Sequence, residues 1–306
     1  MSAPHDHHHD HHHHAASPSG HGRAFAVGVV LNTGFVVIEA VMGIVSGSMA
    51  LVADAGHNLS DVLGLLIAWG ASVLAARPPS ERFTYGFKSS SILAALANAS
   101  LLLIALGAIL VETLRRLADP PPVAGGTMIA VAAIGIVVNT ATALLFLRGR
   151  KHDLNIRAAF LHMAADAAVS AGVVVAGVLV VLTGKARIDP VTSLAIVAVI
   201  AWGTWGLLKD SMKMALLAVP DGIDEAKVRA FLGARPGVSA VHDLHIWPMS
   251  TTETALTAHL VIPQGHPGDG FLHDLAHDLQ HDFGIGHATV QVEMDAECVL
   301  GADGVV

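Results

Sequence analysis

Six stretches of the chain are apolar almost throughout: about Ala24 to Val45, Ser48 to Leu74, Ile92 to Leu114, Thr127 to Leu147, Asn155 to Leu182 and Val191 to Leu208. About 20 apolar residues suffice to cross a bilayer as a helix, so the pattern predicts six transmembrane helices within residues 22–214. The breaks between them are short and polar. Ser46-Gly47-Ser48 is a tight turn, which packs the first two helices as an antiparallel pair. Arg77-Pro78-Pro79 ends the second run and Pro120-Pro121-Pro122 separates the third from the fourth. Beyond Pro220 the pattern changes. Asp224 to Leu232 reads as a helix with an acidic start, and Gly270 to Phe283 as another, with Leu272, Leu275, Ala276 and Leu279 on one face. Val241 to Trp247, Glu253 to Ile262 and His287 to Glu293 alternate and read as strands. The order helix–strand–strand–helix–strand predicts a small α+β domain over residues 215–306.

The polar positions inside the apolar runs carry the chemistry. His57 and Asp61 are four apart and share one helix face, with Asp54 three residues before His57 on the same side. His162 and Asp166 repeat the spacing in the fifth run. An acidic residue at mid-membrane depth costs about 2.5–3.5 kcal/mol on insertion scales, so a partner must offset it. Two His-x-x-x-Asp pairs supply two nitrogens and two oxygens, a set suited to a tetrahedral divalent metal, zinc first. Ser170 and Asp54 are candidates to orient ligands or receive protons, and Asn32 and Glu39 to face protein and hydrogen-bond within the bundle.

Composition agrees. Of the 306 residues 53% are hydrophobic and 14% charged, against about 25% charged in soluble domains; mean hydropathy is +0.59. One cysteine, Cys298, excludes an intramolecular disulfide, and twenty histidines point to metal. His5 to His14 is a His-Asp run that builds no core, and residues 1–21 read as a disordered arm. Asp6 and Asp10 interrupt the run, which favours a native metal-collecting arm over an expression tag. No cleavable signal is visible. Arg23, Arg77, Arg82, Lys88, Arg148, Arg150, Lys151, Arg157, Lys209 and Lys213 gather at one set of helix ends, whereas the other has Arg115, Arg116, Lys185 and Arg187. The richer side is expected to be cytoplasmic, placing both termini in the cytoplasm. With the second helix then running inward and the fifth outward, His57 should oppose Asp166 and Asp61 should oppose His162.

Longer stretches resemble a known family. Glu39 and Gly43, Ser48 to Asp61, Tyr85-Gly86-Phe87-Lys88, Leu161 to Asp166, Asp189-Pro190, Val241 to Trp247, Ala258-His259-Leu260 and Gln291-Val292-Glu293 are similar to the cation diffusion facilitators, especially the zinc/cobalt/cadmium-resistance branch, over roughly residues 22 to 300. The resemblance implies an all-α six-helix transmembrane domain, a C-terminal α+β ferredoxin-like cytoplasmic domain and a homodimer. It implies efflux of Zn²⁺, with Co²⁺ or Cd²⁺ as further substrates, in exchange for protons, through His57, Asp61, His162 and Asp166. Members with His-Asp on both helices tend to prefer zinc over cadmium. In the C-terminal domain it maps metal positions onto His242, His259 and Asp295, with Glu293 nearby and His273 as a bridge. His273, His277 and His281 form one stripe expected to face solvent, and His245 and Trp247 are expected to pack at a strand. Cys298 is a remote further ligand. Phe83 and Phe87 stand where parts of the family have loop histidines, and Ser89, Ser90 and Ser91 replace residues that include a basic one and a glutamate. No loop metal site and no nucleic-acid partner are expected. A membrane metallohydrolase lacks support, because there is no His-Glu-x-x-His and no obvious open ligand position or general base. A metal sensor that does not transport would leave the duplicated intramembrane pairs without a purpose.

Overall fold

The structure, a computed structural model, describes residues 22–146 and 154–295; the His-rich arm and Cys298 lie outside the described residues. Six long helices come first: α1 (Gly22–Ser46), α2 (Met49–Ala75), α3 (Ser90–Ala118), α4 (Gly125–Phe146), α5 (Leu154–Thr183) and α6 (Ile188–Ala215). Five of them, α2 to α6, are long and apolar enough to cross a membrane, while the apolar segment found in α1, Asn32–Ser46, is shorter. Their outward residues, among them Ile104, Val137, Val199 and Trp202, are large and apolar, which suits acyl chains rather than water. α6 starts before the predicted position, with Pro190 in its first turn, where a missing N–H costs no helical bond. It also continues past Lys209 to Ala215, so a change to polar composition did not end the helix.

Contacts divide the chain into two units. The first contains residues up to 58 and 115–193, and within it α4 packs on both α5 and α1. Gly135 permits this closeness: a Cβ there would lie 2.7 Å from Phe35 Cζ and 3.1 Å from Ser170 Oγ. Gly47, at φ +71°, makes the turn from α1 to α2, and Arg116 Nη1 donates to its carbonyl at 2.9 Å.

The second unit contains residues 59–114 and 194–306. Its α+β part consists of α7 (Glu225–Gly233), β1 (Ala240–Pro248), β2 (Thr254–Val261), α8 (Asp269–Phe283) and β3 (Ile285–Glu293). β1 and β2 form an antiparallel hairpin, and β3 returns through α8 to lie parallel to β2. Asp224 caps α7 by accepting from the Ala226 and Lys227 amides; Gly284, at φ +70°, ends α8. Val228 and Leu232 of α7, Leu275 and Leu279 of α8, and Leu244, Ile246, Leu256 and Leu260 of the sheet form the core. The hairpin end of this sheet is tied to the end of the α2–α3 segment and the first turn of α3. Lys88 pairs with Glu253, Ser89 Oγ donates to the Met249 carbonyl at 3.2 Å, and the Thr251 amide donates to Ser91 Oγ at 3.1 Å.

Candidate metal centre

The N-terminus of α2 is held firmly. Asp189 accepts hydrogen bonds from Ser48 Oγ at 2.5 Å, the Met49 amide at 2.8 Å and the Ala50 amide at 3.3 Å. A buried carboxylate on the first amides of a helix satisfies orphan donors and complements the helix dipole. It sets the axial position of α2, and with it the levels of Asp54, His57 and Asp61. In the sequence, Asp189 stands out only through the family resemblance, and nothing local to it points to this task.

His57 Nε2 lies 3.7 Å from Asp166 Oδ1, and His162 Nε2 lies 3.7 Å from Asp166 Oδ2. The two imidazoles meet edge to face, centroids 6.0 Å apart. Asp166 is 2% exposed; both histidines are half-buried. At 3.7 Å these contacts are longer than hydrogen bonds. Two ligand atoms at about 2.1 Å from a tetrahedral ion stand about 3.4 Å apart, so the spacing is that of groups arranged around one ion. Asp61 lies one turn beyond His57 on the same face of the continuous α2, half-buried. Asp54 is fully buried and accepts from Ser170 Oγ at 3.1 Å, and Glu39 accepts from Asn58 Nδ2 at 3.2 Å.

A second cluster lies on the sheet. His242 and His259 are paired across β1 and β2, their ring centroids 5.1 Å apart. Glu293 stands over both, with Oε2 2.8 Å from His242 Nε2 and Oε1 3.1 Å from His259 Nδ1. One ligand atom from each of the three lies within 4.8 Å of the others, which suits a metal ion. Asp295, expected in this set, is exposed beyond the end of β3. Glu293, expected only nearby, takes its place: β3 stays in register with β2 through the Val261–Glu293 pair and stops there. Burial tends to push the Glu293 carboxyl up, yet hydrogen bonds from His242 and Gln291 and the charges of His242 and His259 hold it below its ordinary value.

Asp243 was not foreseen in this cluster. It sits at φ +48°, where the register between β1 and β2 shifts. The bulge turns its carboxylate to His245 Nε2 at 2.9 Å and to His259 Nε2 at 3.3 Å. His245, expected to pack at the strand, is exposed. An aspartate in an otherwise alternating strand was the available signal, since Asp tolerates left-handed backbone. His273, His277 and His281 are exposed on α8. His277 and His281 stack at 6.4 Å, and a hydrogen bond to Asp282 raises the pKa of His281. Phe83 and Phe87 pack on one another, centroids 4.6 Å apart.

Long apolar helices with a histidine–aspartate cluster between them define a multi-pass membrane protein that handles metal cations. The chain belongs to the cation efflux family. Residues 25–216 match the cation efflux transmembrane domain, and residues 220–295 match the cytoplasmic domain of cation efflux proteins. The chain is 36% identical to the zinc transporter ZitB of Escherichia coli, over 88% of this chain and 86% of that protein. It is 35% identical to the metal cation efflux system protein CzcD of Cupriavidus metallidurans, over 90% and 88%. It is 32% identical to the cadmium, cobalt and zinc/H(+)-K(+) antiporter of Bacillus subtilis, over 90% and 89%. It is a metal cation efflux transporter and not an enzyme.

Proposed function

We propose that this protein is a Zn²⁺/H⁺ antiporter of a bacterial inner membrane, working by alternating access around His57, Asp61, His162 and Asp166. The observation that carries this reading is the buried Asp166 carboxylate with an imidazole from each of two helices 3.7 Å from its oxygens. Asp61 completes the set from the next turn of α2. Two aspartates and two neutral imidazoles around Zn²⁺ sum to zero charge, and so do two aspartates and two protonated imidazoles. Low-dielectric surroundings favour neutral combinations, so one ion exchanges for up to two protons. Histidine titrates near neutral pH and suits that exchange. The similarity to ZitB and to a zinc/H(+)-K(+) antiporter supports zinc as substrate and protons as counter-ion; Co²⁺ and Cd²⁺ are further candidates.

α1 acts as the sixth span, both termini lie in the cytoplasm, and two copies associate through the C-terminal domain. Its α–β–β–α–β order is that of a ferredoxin-like βαββαβ unit without the leading strand, and the parallel β2/β3 pairing supports that kinship. His242, His259 and Glu293 sense cytoplasmic metal there. Binding at that cluster biases the transport cycle, and the Lys88–Glu253 tie gives it a route to α3.

Metal flux into proteoliposomes under an imposed pH difference tests the reading. Zinc should move with the wild type and fail to move with Asp166→Ala. Equal flux from both, or no response to pH, would sink it.

A further inference from the structure

The second unit encloses a cavity of about 550 Å³ between the later turns of α2, the start of α3, α6 and the β1–β2 turn. That volume is usual for a small-molecule site. Its floor is a close approach of two helices: a Cβ on Gly64 of α2 would lie 2.8 Å from Asn98 Nδ2 of α3. Small side chains line the walls beyond that contact and leave the space open. They are Ala75 and Ala76 on α2, and Ser91, Ala94 and Ala95, three and four residues apart on one face of α3. Ser90 Oγ donates to the Ala71 carbonyl at 3.1 Å and joins the two helices. Leu207 of α6 lines a further side and is 47% exposed.

The rim is charged. Lys88 and Glu253 pair there, beside Thr251 of the turn. An ammonium has three donors and a carboxylate about four acceptor sites, so one mutual contact leaves both partners with capacity for a ligand. Both are a third or more exposed. The cavity also lies where two spans end: α2 stops at Ala75 and α3 starts at Ser90, and each is long and apolar enough to cross a membrane. Val73 and Leu93, within a few residues of the lining alanines, are exposed. Apolar walls opening beside a membrane-facing surface, under a charged rim at the helix ends, fit the shape of an amphiphile. Basic pockets between transmembrane helices recognise lipid headgroups. Here the acid opposite the lysine changes that recognition. An anion alone would meet Glu253 and a cation alone would meet Lys88, whereas a headgroup carrying both charges complements the rim.

We propose that this cavity holds one membrane phospholipid with a zwitterionic headgroup ending in a primary ammonium. Its phosphate accepts from Lys88 and the Thr251 hydroxyl. Its ammonium donates to Glu253. The upper part of an acyl chain lies along the alanines of α2 and α3, against Leu207. The Lys88–Glu253 pair stays in contact, and the lipid adds a second bridge between the spans and the sheet.

Native mass spectrometry of the full-length protein, released from nanodiscs of equal parts phosphatidylethanolamine, phosphatidylcholine and phosphatidylglycerol of identical chains, reads which lipid is retained. The wild type should keep one ethanolamine lipid per chain, favoured about tenfold over each of the others. The trimethylated ammonium of the choline lipid cannot donate to Glu253, and the glycerol headgroup has no ammonium. This comparison needs no variant to fold. Glu253→Gln should reduce ethanolamine-lipid retention by about tenfold or more, the scale of a lost charged hydrogen bond. Ala95→Leu, which fills the cavity, should abolish it. An ethanolamine lipid with a photoactivatable chain should label residues 88–98. Equal retention of the three lipids, a preference for the glycerol lipid, labelling confined to other segments, or retention untouched by Ala95→Leu overturns the proposal.

Discussion

The protein contains two histidine–carboxylate clusters of similar chemistry in contrasting surroundings. In the membrane helices, Asp166 is nearly inaccessible and its imidazole neighbours stand 3.7 Å away, beyond hydrogen-bonding distance. On the sheet, Glu293 already bonds His242 at 2.8 Å and His259 at 3.1 Å, and His259 itself is buried. In the first set, the imidazoles stand at the spacing of ligands around one ion rather than of hydrogen-bonded partners of Asp166. The second satisfies itself, so a metal must displace existing bonds to enter. A transport site should bind and release, with its charge balance decided by ion or proton; a sensing site should switch between two closed arrangements. On the reading proposed above, the same residue types serve both ends because their spacing differs.

The largest effect should come from Asp166. Replacing it with alanine removes the carboxylate that both imidazoles face, and zinc flux in proteoliposomes should fall to the level of protein-free vesicles. Zinc binding by the C-terminal domain should stay within about twofold, because well-separated sites act additively. Loss of both together would break the distinction between the clusters. Next in size is selectivity. His57→Asp exchanges a nitrogen for an oxygen and adds a negative charge, and it removes one of the His-Asp pairs that the resemblance associates with zinc over cadmium. The ratio of cadmium to zinc flux should rise by about tenfold, the scale of about 1.4 kcal/mol.

A third prediction concerns Glu293→Gln, which should weaken zinc binding at the sheet cluster by about 10–100-fold while leaving maximal flux largely intact. Without metal, the substitution also has a pH signature. The folded-state pKa of Glu293 lies below its ordinary value of 4.5. Its ionised form therefore adds stability that is complete above 4.5 and is lost as pH falls through the lower folded value. The stability difference between wild type and Glu293→Gln, followed by thermal unfolding of the C-terminal transition, should be constant from pH 7 to 5 and shrink only in stronger acid. A difference that vanished already at pH 6 would mean that the histidines, not the carboxylate, carry it.

How much of this was written in the sequence depends on how local each feature is. The long helices were legible because apolar runs and Pro or Gly breaks are local, and the His57/Asp61 and His162/Asp166 spacings are visible within a single turn. Asp189 was harder to read: its bonds to Ser48, Met49 and Ala50 span about 140 positions, and no local pattern announces them. Glu293 and Asp295 point the same way along an alternating strand, so only the length of the β2/β3 ladder decides between them. Asp243 was hidden for a related reason, since a bulge breaks the alternation from which strands are read.

The smallest effect expected is at the tie between the α2–α3 segment and the sheet. In parts of the family the positions after Lys88 hold a basic residue and a glutamate; here Ser89 and Ser91 make hydrogen bonds with the β1–β2 turn, and Lys88 reaches Glu253. Both partners of that ion pair are a third or more exposed, so water screens it. A double-mutant cycle of Lys88→Ala and Glu253→Ala, read by chemical unfolding, should give a coupling of about 0.2–1 kcal/mol. Its value lies in what it separates. If the sheet cluster regulates transport through this tie, the double mutant should keep its zinc-free flux and lose the response of flux to occupancy of His242, His259 and Glu293. If flux still responds in full, the coupling runs by another route, and the two clusters communicate without help from the Lys88–Glu253 pair.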